Sequence, residues 1–475
     1  MKKPHIIYLL SDEHRGQAMA HSGDPNIDTP SMDLLATNGS SFSRAYANCP
    51  ICTPSRGTIF SGRHAQAGPV NGFFDVFKPT APSIATELRK LGYRTAYFGK
   101  WHCGIVRNQI PDVVTNDNSG KFSGGSRNRT PEYFRAGFQD WYGFENLNQH
   151  FNSSVYELNN RNPTPLKGYE TDALFDMAIE YIDKYEREEP LFLVLSVTPP
   201  HFPLIVPEKW QRFNPEDLIV RENFSDTYEM REHLACYYSM IENLDWNIGR
   251  FISRLHRFSS PEEVLTVYFS DHGDYMGSHG LFNQKEHGHE ESVRIPAIFH
   301  WPGTIPATGN REELFSLVDL MGTTLGLLGV DKPSWSQGVD FSDALLGNKF
   351  VQPQEVFLEM VGSPRWDLGM PDWRGLVTKR WKYWFNEHRV ELLFDLENDP
   401  FELKNLAGTH LKSLKEMRLR LLRLLEKTRD PYWDVLIEYG VDPEVPLDVS
   451  VIPGRQPYWL GEMAGVRKYK SDLDL

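Results

Sequence analysis

The sequence predicts an α/β fold in which a large, doubly wound mixed sheet is flanked by helices and a smaller C-terminal α+β subdomain follows. Two observations support this prediction. Short apolar runs rich in β-branched and aromatic residues alternate with amphipathic helical patterns along the 475 residues. A polar cluster also follows each apolar run, as expected where buried strands end at a binding site. We expect residues 1–350 to form the large domain and residues 351–475 the smaller subdomain.

Four runs have the length and composition of buried parallel strands. They lie at residues 6–10, 95–98, 191–197 and 264–270. Strands that are buried on both faces of a parallel sheet are apolar throughout, and these runs fit that description.

Three segments have helical periodicity. Residues 83–91 place apolar side chains on one face, and Gly92 follows where a left-handed residue would end the helix. Residues 171–185 show the same spacing. Residues 411–429 form a basic amphipathic pattern, which we expect to pack on the C-terminal subdomain through its single apolar face.

Polar and charged residues come directly after each of the four predicted strands. The clusters are Asp12-Glu13-His14-Arg15, Gly99-Lys100-Trp101-His102, His201-Phe202-Pro203 and Asp271-His272-Gly273-Asp274. Because ligands bind at the carboxyl ends of strands in open α/β sheets, these clusters should converge although they are far apart in sequence.

The net charge argues against nucleic acid and membrane partners. Fifty Lys and Arg residues against 64 Asp and Glu residues give a charge of −14, which repels phosphate backbones and anionic lipid surfaces. No segment approaches the roughly 18 apolar residues of a membrane span. The apolar run at residues 6–10 is too short for the core of a signal peptide, so we expect a cytoplasmic protein, or a periplasmic one if an export signal has been removed.

Cys52 is the most informative residue of the chain. It opens Cys52-Thr53-Pro54-Ser55-Arg56, which is followed at once by the stretch 57–63, Gly-Thr-Ile-Phe-Ser-Gly-Arg. Cys49 and Cys52 also form a Cys-x-x-Cys pair, which is typical of redox sites and of half zinc sites. Both alternatives lack partners, because a structural zinc needs about four ligands and the other cysteines, Cys103 and Cys236, are single and distant.

These motifs resemble those of the type I, formylglycine-dependent sulfatases of the alkaline-phosphatase-like superfamily. Further matches are Lys285, the stretch 290–296 and the stretch 393–400 with Asn405-Leu406, so that the resemblance covers nearly the whole chain. It implies an alkaline-phosphatase-like fold in which the large domain is catalytic. It also implies that a formylglycine-generating maturase oxidises Cys52 to an aldehyde, which attacks the sulfur of a sulfate ester after hydration.

The resemblance also assigns roles to the polar clusters. Arg56 would hold the formylglycine, while Lys100 and Lys285 would bind the sulfate oxygens. His102 would serve the hydroxyl that starts elimination of sulfate, and His201 would protonate the departing alkoxide.

A divalent cation is expected beside the nucleophile. Asp12 and Asp271 supply hard carboxylate oxygens, which suit Ca²⁺, Mg²⁺ or Mn²⁺. The resemblance implies a single ion, usually Ca²⁺, held by Asp12, Glu13, Cys52, Asp271 and His272. Glu13 stands where the family commonly has a shorter aspartate, and His272 where many sulfatases have asparagine. An imidazole ligand makes Mn²⁺ more plausible than it would otherwise be, and Mg²⁺ stays possible.

The sequence leaves three functions open. The leading one is a sulfuric ester hydrolase that acts on a sulfated saccharide or on a small alkyl or aryl sulfate. The first alternative is a phosphonate monoester hydrolase or phosphodiesterase of the same superfamily, which Glu13 and His272 favour. The second is a glycan-binding protein without catalysis, in which Cys52 is never oxidised.

Several aromatic residues are candidates for stacking on sugar rings. They lie in the polar stretch 107–168 and at Trp335, Trp366 and Trp373. We expect most of them to fill the core between the subdomains instead.

Overall fold

The computed structural model describes residues 3–434, except for residues 105–128, 147–148, 159, 161, 187, 364–370, 387 and 389. Trp366 and much of the polar stretch 107–168 therefore lie outside the described residues. None of the helices formed by the described residues combines the length and the apolar character needed to span a bilayer.

Eleven of the described strands form one mixed sheet. They are β1 His5–Asp12, β2 Ser40–Tyr46, β3 Arg94–Lys100, β4 Asp140–Phe144, β5 Ser154–Glu157, β6 Thr164–Pro165, β7 Leu191–Pro200, β8 Val264–Ser270, β9 Arg294–Ile295, β10 Ala297–His300 and β11 Gly309–Ser316. The order across the sheet is β11-β2-β10-β8-β1-β7-β3-β4-β5-β6, and β9 pairs with β2. Its centre, β8-β1-β7-β3, is parallel and consists of the four strands predicted from the sequence, so the predicted fold class is confirmed.

Helices cover both faces of this sheet and pack on its apolar strands. The described helices are α1 Pro30–Thr37, α2 Cys52–Ser61, α3 Ile84–Lys90, α4 Glu170–Asp183, α5 Tyr228–Phe258, α6 Glu290–Val293, α7 Leu320–Leu327, α8 Ser342–Leu345 and α9 Leu411–Thr428. Because side chains alternate along a strand, Tyr8 and Leu10 of β1 enter the core shared with α2, α3 and α7. Ile7 and Leu9 enter the opposite core, shared with α1, α4 and α5.

The first two predicted helices correspond to α3 and α4, within one or two residues at each end. Ser83 caps α3 in a capping box with Thr86, since each side chain bonds the backbone N–H of the other residue. Gly92 follows with a φ of 85°, the left-handed conformation expected after the helix.

A second, antiparallel sheet lies near the C-terminus. Its strands are β12 Val356–Met360, β13 Trp373–Val377, β14 Trp381–Asn386 and β15 Glu391–Asp395. One face packs on α9 through Leu414, Met417 and Leu421, as the amphipathic pattern predicted. The other face packs against Ile51 and Val293 of the large domain. A smaller α+β subdomain is thus confirmed, while its boundary at residue 351 stays a prediction.

Glu170 at the start of α4 gives a test of how a buried carboxylate affects stability. It is fully buried, accepts the Thr198 N–H at 3.3 Å, and burial raises its pKa to about 7. Because the folded-state pKa lies above the unfolded value, the charged form destabilises the fold as the pH rises. The wild type should therefore lose stability between pH 6 and pH 8.5, and Glu170→Gln should not. We expect the difference in the free energy of unfolding between Glu170→Gln and the wild type to grow by about 1 kcal/mol over this range, in favour of the variant.

Urea unfolding at both pH values measures this change in the free energy of unfolding. Glu180→Gln, on the same helix, is the matched control, because Glu180 is exposed in an ion pair with Lys184 and such pairs contribute little. An equal pH response of the two variants would contradict the prediction.

Candidate active site

The polar clusters after β1, β3, β7 and β8 meet at one edge of the sheet. The Lys100 Nζ at the end of β3 lies 2.5 Å from the Asp12 Oδ2 at the end of β1. Asp271 directly follows β8, and its backbone N–H donates to the Ser11 carbonyl of β1 at 3.2 Å. His201 directly follows β7 and lies 3.1 Å from Glu13. Because these strands are parallel neighbours in the sheet, residues from distant parts of the sequence come into contact at their ends.

Arg56 joins these strand ends from α2. Its Nε donates to Asp271 Oδ2 at 2.9 Å and its Nη2 to Asp12 Oδ2 at 3.2 Å. Its Nη1 donates to the Lys100 carbonyl at 2.7 Å and to Ser196 Oγ at 2.9 Å. The guanidinium is fully buried, and both of its carboxylate partners are equally buried. Four strands thus contact one cation.

Asp12 is ionised in this setting. Burial raises the pKa of its carboxyl, but the positive charges of Lys100 and Arg56 outweigh burial and hold the pKa well below its usual range. A permanently charged carboxylate at the centre of the site is what a cation ligand requires.

Asp12, Cys52, Asp271 and His272 form one group of potential metal ligands. One ligand atom from each of these residues lies within 4.8 Å of all the others. The His272 Nε2 lies 3.1 Å from Cys52 Sγ, 3.7 Å from Asp12 Oδ1 and 3.8 Å from Asp271 Oδ1. Because His272 Nδ1 must donate its proton to the Gly273 carbonyl at 2.8 Å, Nε2 presents its lone pair to this group. The donor set and the spacing fit a divalent cation.

Glu13 belongs to a second group of potential ligands, which also contains Asp12 and His201. Its backbone has a φ of 66°, and its carboxylate forms an ion pair with Lys285 Nζ and lies 3.1 Å from His201 Nε2. Burial raises the pKa of Glu13 to about 7, although the charge of Lys285 opposes this. Glu13 Oε2 is buried and has no hydrogen-bond partner among the described residues. This oxygen is the part of Glu13 that is available as a cation ligand.

His201 and Lys285 form a pair next to Glu13. The His201 Nδ1 donates to the Phe202 carbonyl at 2.5 Å, so its Nε2 accepts from Lys285 Nζ at 3.1 Å. Burial lowers the pKa of His201 well below its usual range, and the charges of Lys285 and Lys100 lower it further. Burial also lowers the pKa of Lys285, but the carboxylates of Glu13 and Asp12 reverse this, so Lys285 stays charged.

His102 follows Lys100 by two residues. It has a φ of 56°, is partly exposed, and packs edge-on against the Phe73 ring at 5.2 Å. Burial lowers the pKa of His102 well below its usual range, and Lys100 and Arg56 act in the same direction. Its Nδ1 has no hydrogen-bond partner among the residues that the structure describes. A neutral imidazole with an unused nitrogen can accept a proton.

Tyr237 and Asp274 also belong to this region. Asp274 was placed in the polar cluster after β8 without a role, and Tyr237 was not predicted. The Tyr237 hydroxyl on α5 donates to the Glu13 carbonyl at 2.8 Å and accepts the Arg15 N–H at 3.0 Å. Burial raises the pKa of Asp274 to about 6, and its Oδ2 has no hydrogen-bond partner within the described part of the chain. Tyr237 resembles any other apolar-face residue of a long helix, whereas Asp274 follows a strand and could have been found.

The C-terminal subdomain contacts this region through Trp373. Trp373 is 2% exposed, and its indole donates to the Glu286 carbonyl beside Lys285 at 2.7 Å. Trp335 packs against the core of the large domain. Both rings therefore fill core positions, as expected for most of these aromatic residues.

A third group of potential ligands contains His279, Glu291 and Glu402. Its carboxylates already have cationic partners from the chain. Arg221 lies 3.1 Å from Glu291, and Lys382 lies 2.9 Å from Glu402. This group is a buried ion-pair network at the junction of the subdomains.

The two alternatives for the Cys-x-x-Cys pair find no support. Cys49 and Cys52 are both free and buried, and Cys49 is not part of any of the three groups of potential ligands within the described residues. Burial raises the pKa of the Cys49 thiol well above its usual value, which disfavours the reactive thiolate.

Two family models match the chain. A model described as Sulfatase matches residues 4–330. A second model, described as N-sulphoglucosamine sulphohydrolase, C-terminal, matches residues 277–430.

Individual proteins match over most of their length. An ulvan-active sulfatase of Formosa agariphila is 30% identical over 86% of this chain and 77% of the relative. The crystal structure of yidJ from Bacteroides fragilis is 27% identical, with a TM-score of 0.83 over 92% of this chain and 98% of that one. A phosphonate monoester hydrolase of Agrobacterium radiobacter shares the fold at 20% identity, with a TM-score of 0.73 over 90% and 95% of the two chains.

The contacts of Tyr237 predict that its hydroxyl supports cation binding. Tyr237→Phe leaves the Glu13 carbonyl and the Arg15 N–H without their buried partner, which frees the turn that follows Asp12. We expect the dissociation constant for Mn²⁺ to rise about tenfold, as for other residues that orient metal ligands. Isothermal titration of the metal-free protein measures this constant.

Tyr238→Phe is the matched control. The Tyr238 hydroxyl is also buried but bonds Asp24 and the Arg15 side chain rather than the Glu13 backbone. It should lower the melting temperature without changing the affinity for Mn²⁺. Equal affinities of the two variants would show that the Tyr237 hydroxyl does not position the site.

Proposed function

Because the chain belongs to the sulfatase family, we propose that it removes sulfate from a sulfated saccharide with a formylglycine at position 52 and one divalent cation. The position of Cys52 carries this proposal. Its Sγ lies at the buried start of α2, 3.1 Å from His272 Nε2 and 3.7 Å from Asp12 Oδ1. A nucleophile at this point would lie between the cation ligands and the lysines.

The unmodified thiol is poorly suited to attack. Burial raises the pKa of Cys52 to about 12, and the charge of Asp12 acts in the same direction, so the thiol is protonated at neutral pH. A hydrated aldehyde at this position would supply two hydroxyls on one carbon, one to attack sulfur and the other to expel sulfate. Its formation requires a maturase that recognises the sequence from Cys52 to Arg56.

Three cations prepare the site for an anionic ester. Lys100 and Lys285 would bind the sulfate oxygens, and Arg56 would hold the nucleophile in place. Their side chains are buried, so their charges are screened little by water. This local positive charge is what allows a protein of net charge −14 to accept an anion.

Two histidines would transfer the protons of the reaction. His201 would deliver a proton from Nε2 to the leaving oxygen, because its Nδ1 is committed to the Phe202 carbonyl. The negative charge of a bound ester opposes the effects that lower the pKa of His201, and so favours the protonated form when substrate is present. His102, neutral and with an unused nitrogen, would take the proton from the hydroxyl that expels sulfate.

The cation would be held by Asp12, Asp271, His272 and the residue at position 52, with Glu13 Oε2 as a further ligand. Its chemistry would be to lower the pKa of the attacking hydroxyl and to offset negative charge. We propose Ca²⁺, with Mn²⁺ or Mg²⁺ as alternatives because His272 adds a nitrogen donor to the oxygens.

A saccharide substrate is supported by a relative. The Formosa agariphila protein is named an ulvan-active sulfatase and matches most of this chain. A small alkyl or aryl sulfate would need the same sulfate contacts and stays a second possibility for this reaction.

A phosphonate monoester hydrolase is the second candidate function. The observations that favour it are the glutamate at position 13 beside Asp12, where the family commonly has an aspartate, and the imidazole of His272 in the Cys52 group. The Agrobacterium radiobacter protein, which is named a phosphonate monoester hydrolase, has the same fold. Substrate preference must therefore be measured.

We expect matured protein to prefer 4-nitrophenyl sulfate over a phenylphosphonate monoester in kcat/KM, and Cys52→Ala to lose all measurable turnover. Cys49→Ala is the matched control, because Cys49 is equally buried but lies outside the Cys52 group. The mass of the peptide that contains position 52 shows whether the aldehyde has formed. A preference for the phosphonate would favour the second candidate, and turnover by Cys52→Ala would contradict the nucleophile.

His272→Asn should change the metal preference. Replacing the imidazole nitrogen with an amide oxygen makes the ligand set harder, so the ratio of Mn²⁺ to Ca²⁺ affinity should fall by about tenfold. Calorimetric titration with each ion measures this ratio. The control is His300→Asn, since His300 is a buried histidine of β10. An unchanged ratio would mean that His272 is not a ligand.

A further inference from the structure

Most of the described site residues are buried, and three of them reach the surface. Asp12, Arg56 and Lys100 are completely buried, and Cys52 is 1% exposed. His201 and Lys285 are each 8% exposed, and His102 is partly exposed. Among the described site residues, these three mark the opening through which we expect a substrate to enter, with its sulfate directed inward.

Aromatic side chains lie beside this opening. Phe202 follows His201 directly and is 36% exposed. Its ring meets the Phe282 ring edge-on at 6.1 Å, and Phe282 stacks on His233 at 4.1 Å. Phe282 is three residues from Lys285. We call Phe202, Phe282 and His233 the aromatic rim.

The position of the rim relates it to one part of the substrate. The Nδ1 of His201 bonds the Phe202 carbonyl, so the catalytic imidazole and the Phe202 backbone are fixed to each other. If His201 protonates the leaving oxygen, the carbon skeleton attached to that oxygen must extend outward beside His201. This places the alcohol part of the ester next to the aromatic rim and the sulfate away from it.

We propose that the aromatic rim is a binding surface for a ring in the leaving alcohol, such as the apolar face of a pyranose. This inference rests on the proposed function and names the substrate class more closely. Aromatic side chains bind flat, partly apolar groups well because they offer a large rigid area at low entropic cost. Phe202 has this area free, since more than a third of it is exposed.

A cationic acyclic alcohol fits the rim less well. An aromatic face can attract a quaternary ammonium group. Here, however, the charged Lys285 Nζ lies 3.1 Å from His201 Nε2, and the charge of Lys100 also acts on His201. Repulsion from these charges disfavours a second cation at the same place.

The test compares substrates that differ in the leaving group. Phe202→Ala should lower kcat/KM about fivefold for 4-nitrophenyl sulfate and for a 6-sulfated pyranose, in line with the loss of one ring contact. The inhibition constant of inorganic sulfate, which has no leaving group, should change less than twofold. Phe202→Trp should restore activity on both ring esters. Tyr133→Ala, which removes an exposed ring packed on Phe134, is the matched control.

Three results would overturn the inference. The first is an equal loss in sulfate inhibition, which would mean that Phe202 acts only by holding His201. The second is no loss on the ring esters. The third is a larger loss on an acyclic cationic alkyl sulfate than on the ring esters. If the wild type hydrolyses only a phenylphosphonate ester, the proposed function fails, but the same comparison on that ester still tests the rim.

Discussion

The structure depends on the burial of two carboxylates against two cations at the carboxyl edge of the parallel sheet. Burying Asp12 and Asp271 alone would cost several kcal/mol each, so Arg56 and Lys100 have to be present in the same place. Arg56 reaches them only because α2 begins at this edge, and that start is also the position of Cys52. The charge balance thus fixes Cys52, the strand ends and the helix relative to each other.

Close backbone contacts allow this assembly. A Cβ at Gly99 would lie 1.9 Å from the Ser196 carbonyl oxygen, so only glycine lets β3 approach β7 just before Lys100. A Cβ at Gly273 would lie 2.0 Å from the Glu291 carbonyl oxygen, beside His272. Both glycines adjoin site residues, and the packing that they permit holds Lys100 and His272 close to Asp12.

The sequence was sufficient for the parallel centre of the sheet and for the residue types of the site. Continuous apolar runs are a strong signal, and a strand end fixes where the next polar residue lies, so Asp12, Lys100 and Asp271 could be predicted together. The partners of Glu13 could not, because they depend on which way a long side chain turns in three dimensions. The aromatic rim could not be predicted from the sequence either, because the pattern around an exposed phenylalanine in a loop does not show where that loop lies in the fold.

The buried acids of the site have different cationic partners. Asp12 and Asp271 share Arg56, whereas Glu13 has Lys285 as its partner, so each buried acid has a nearby cation. Lys285 is also the lysine closest to His201, so binding an ester there would compete with Glu13 for the same ammonium group. A divalent cation beside Glu13 Oε2 would supply the missing positive charge. Cation and substrate would therefore each favour binding of the other, because the cation frees Lys285 for the ester.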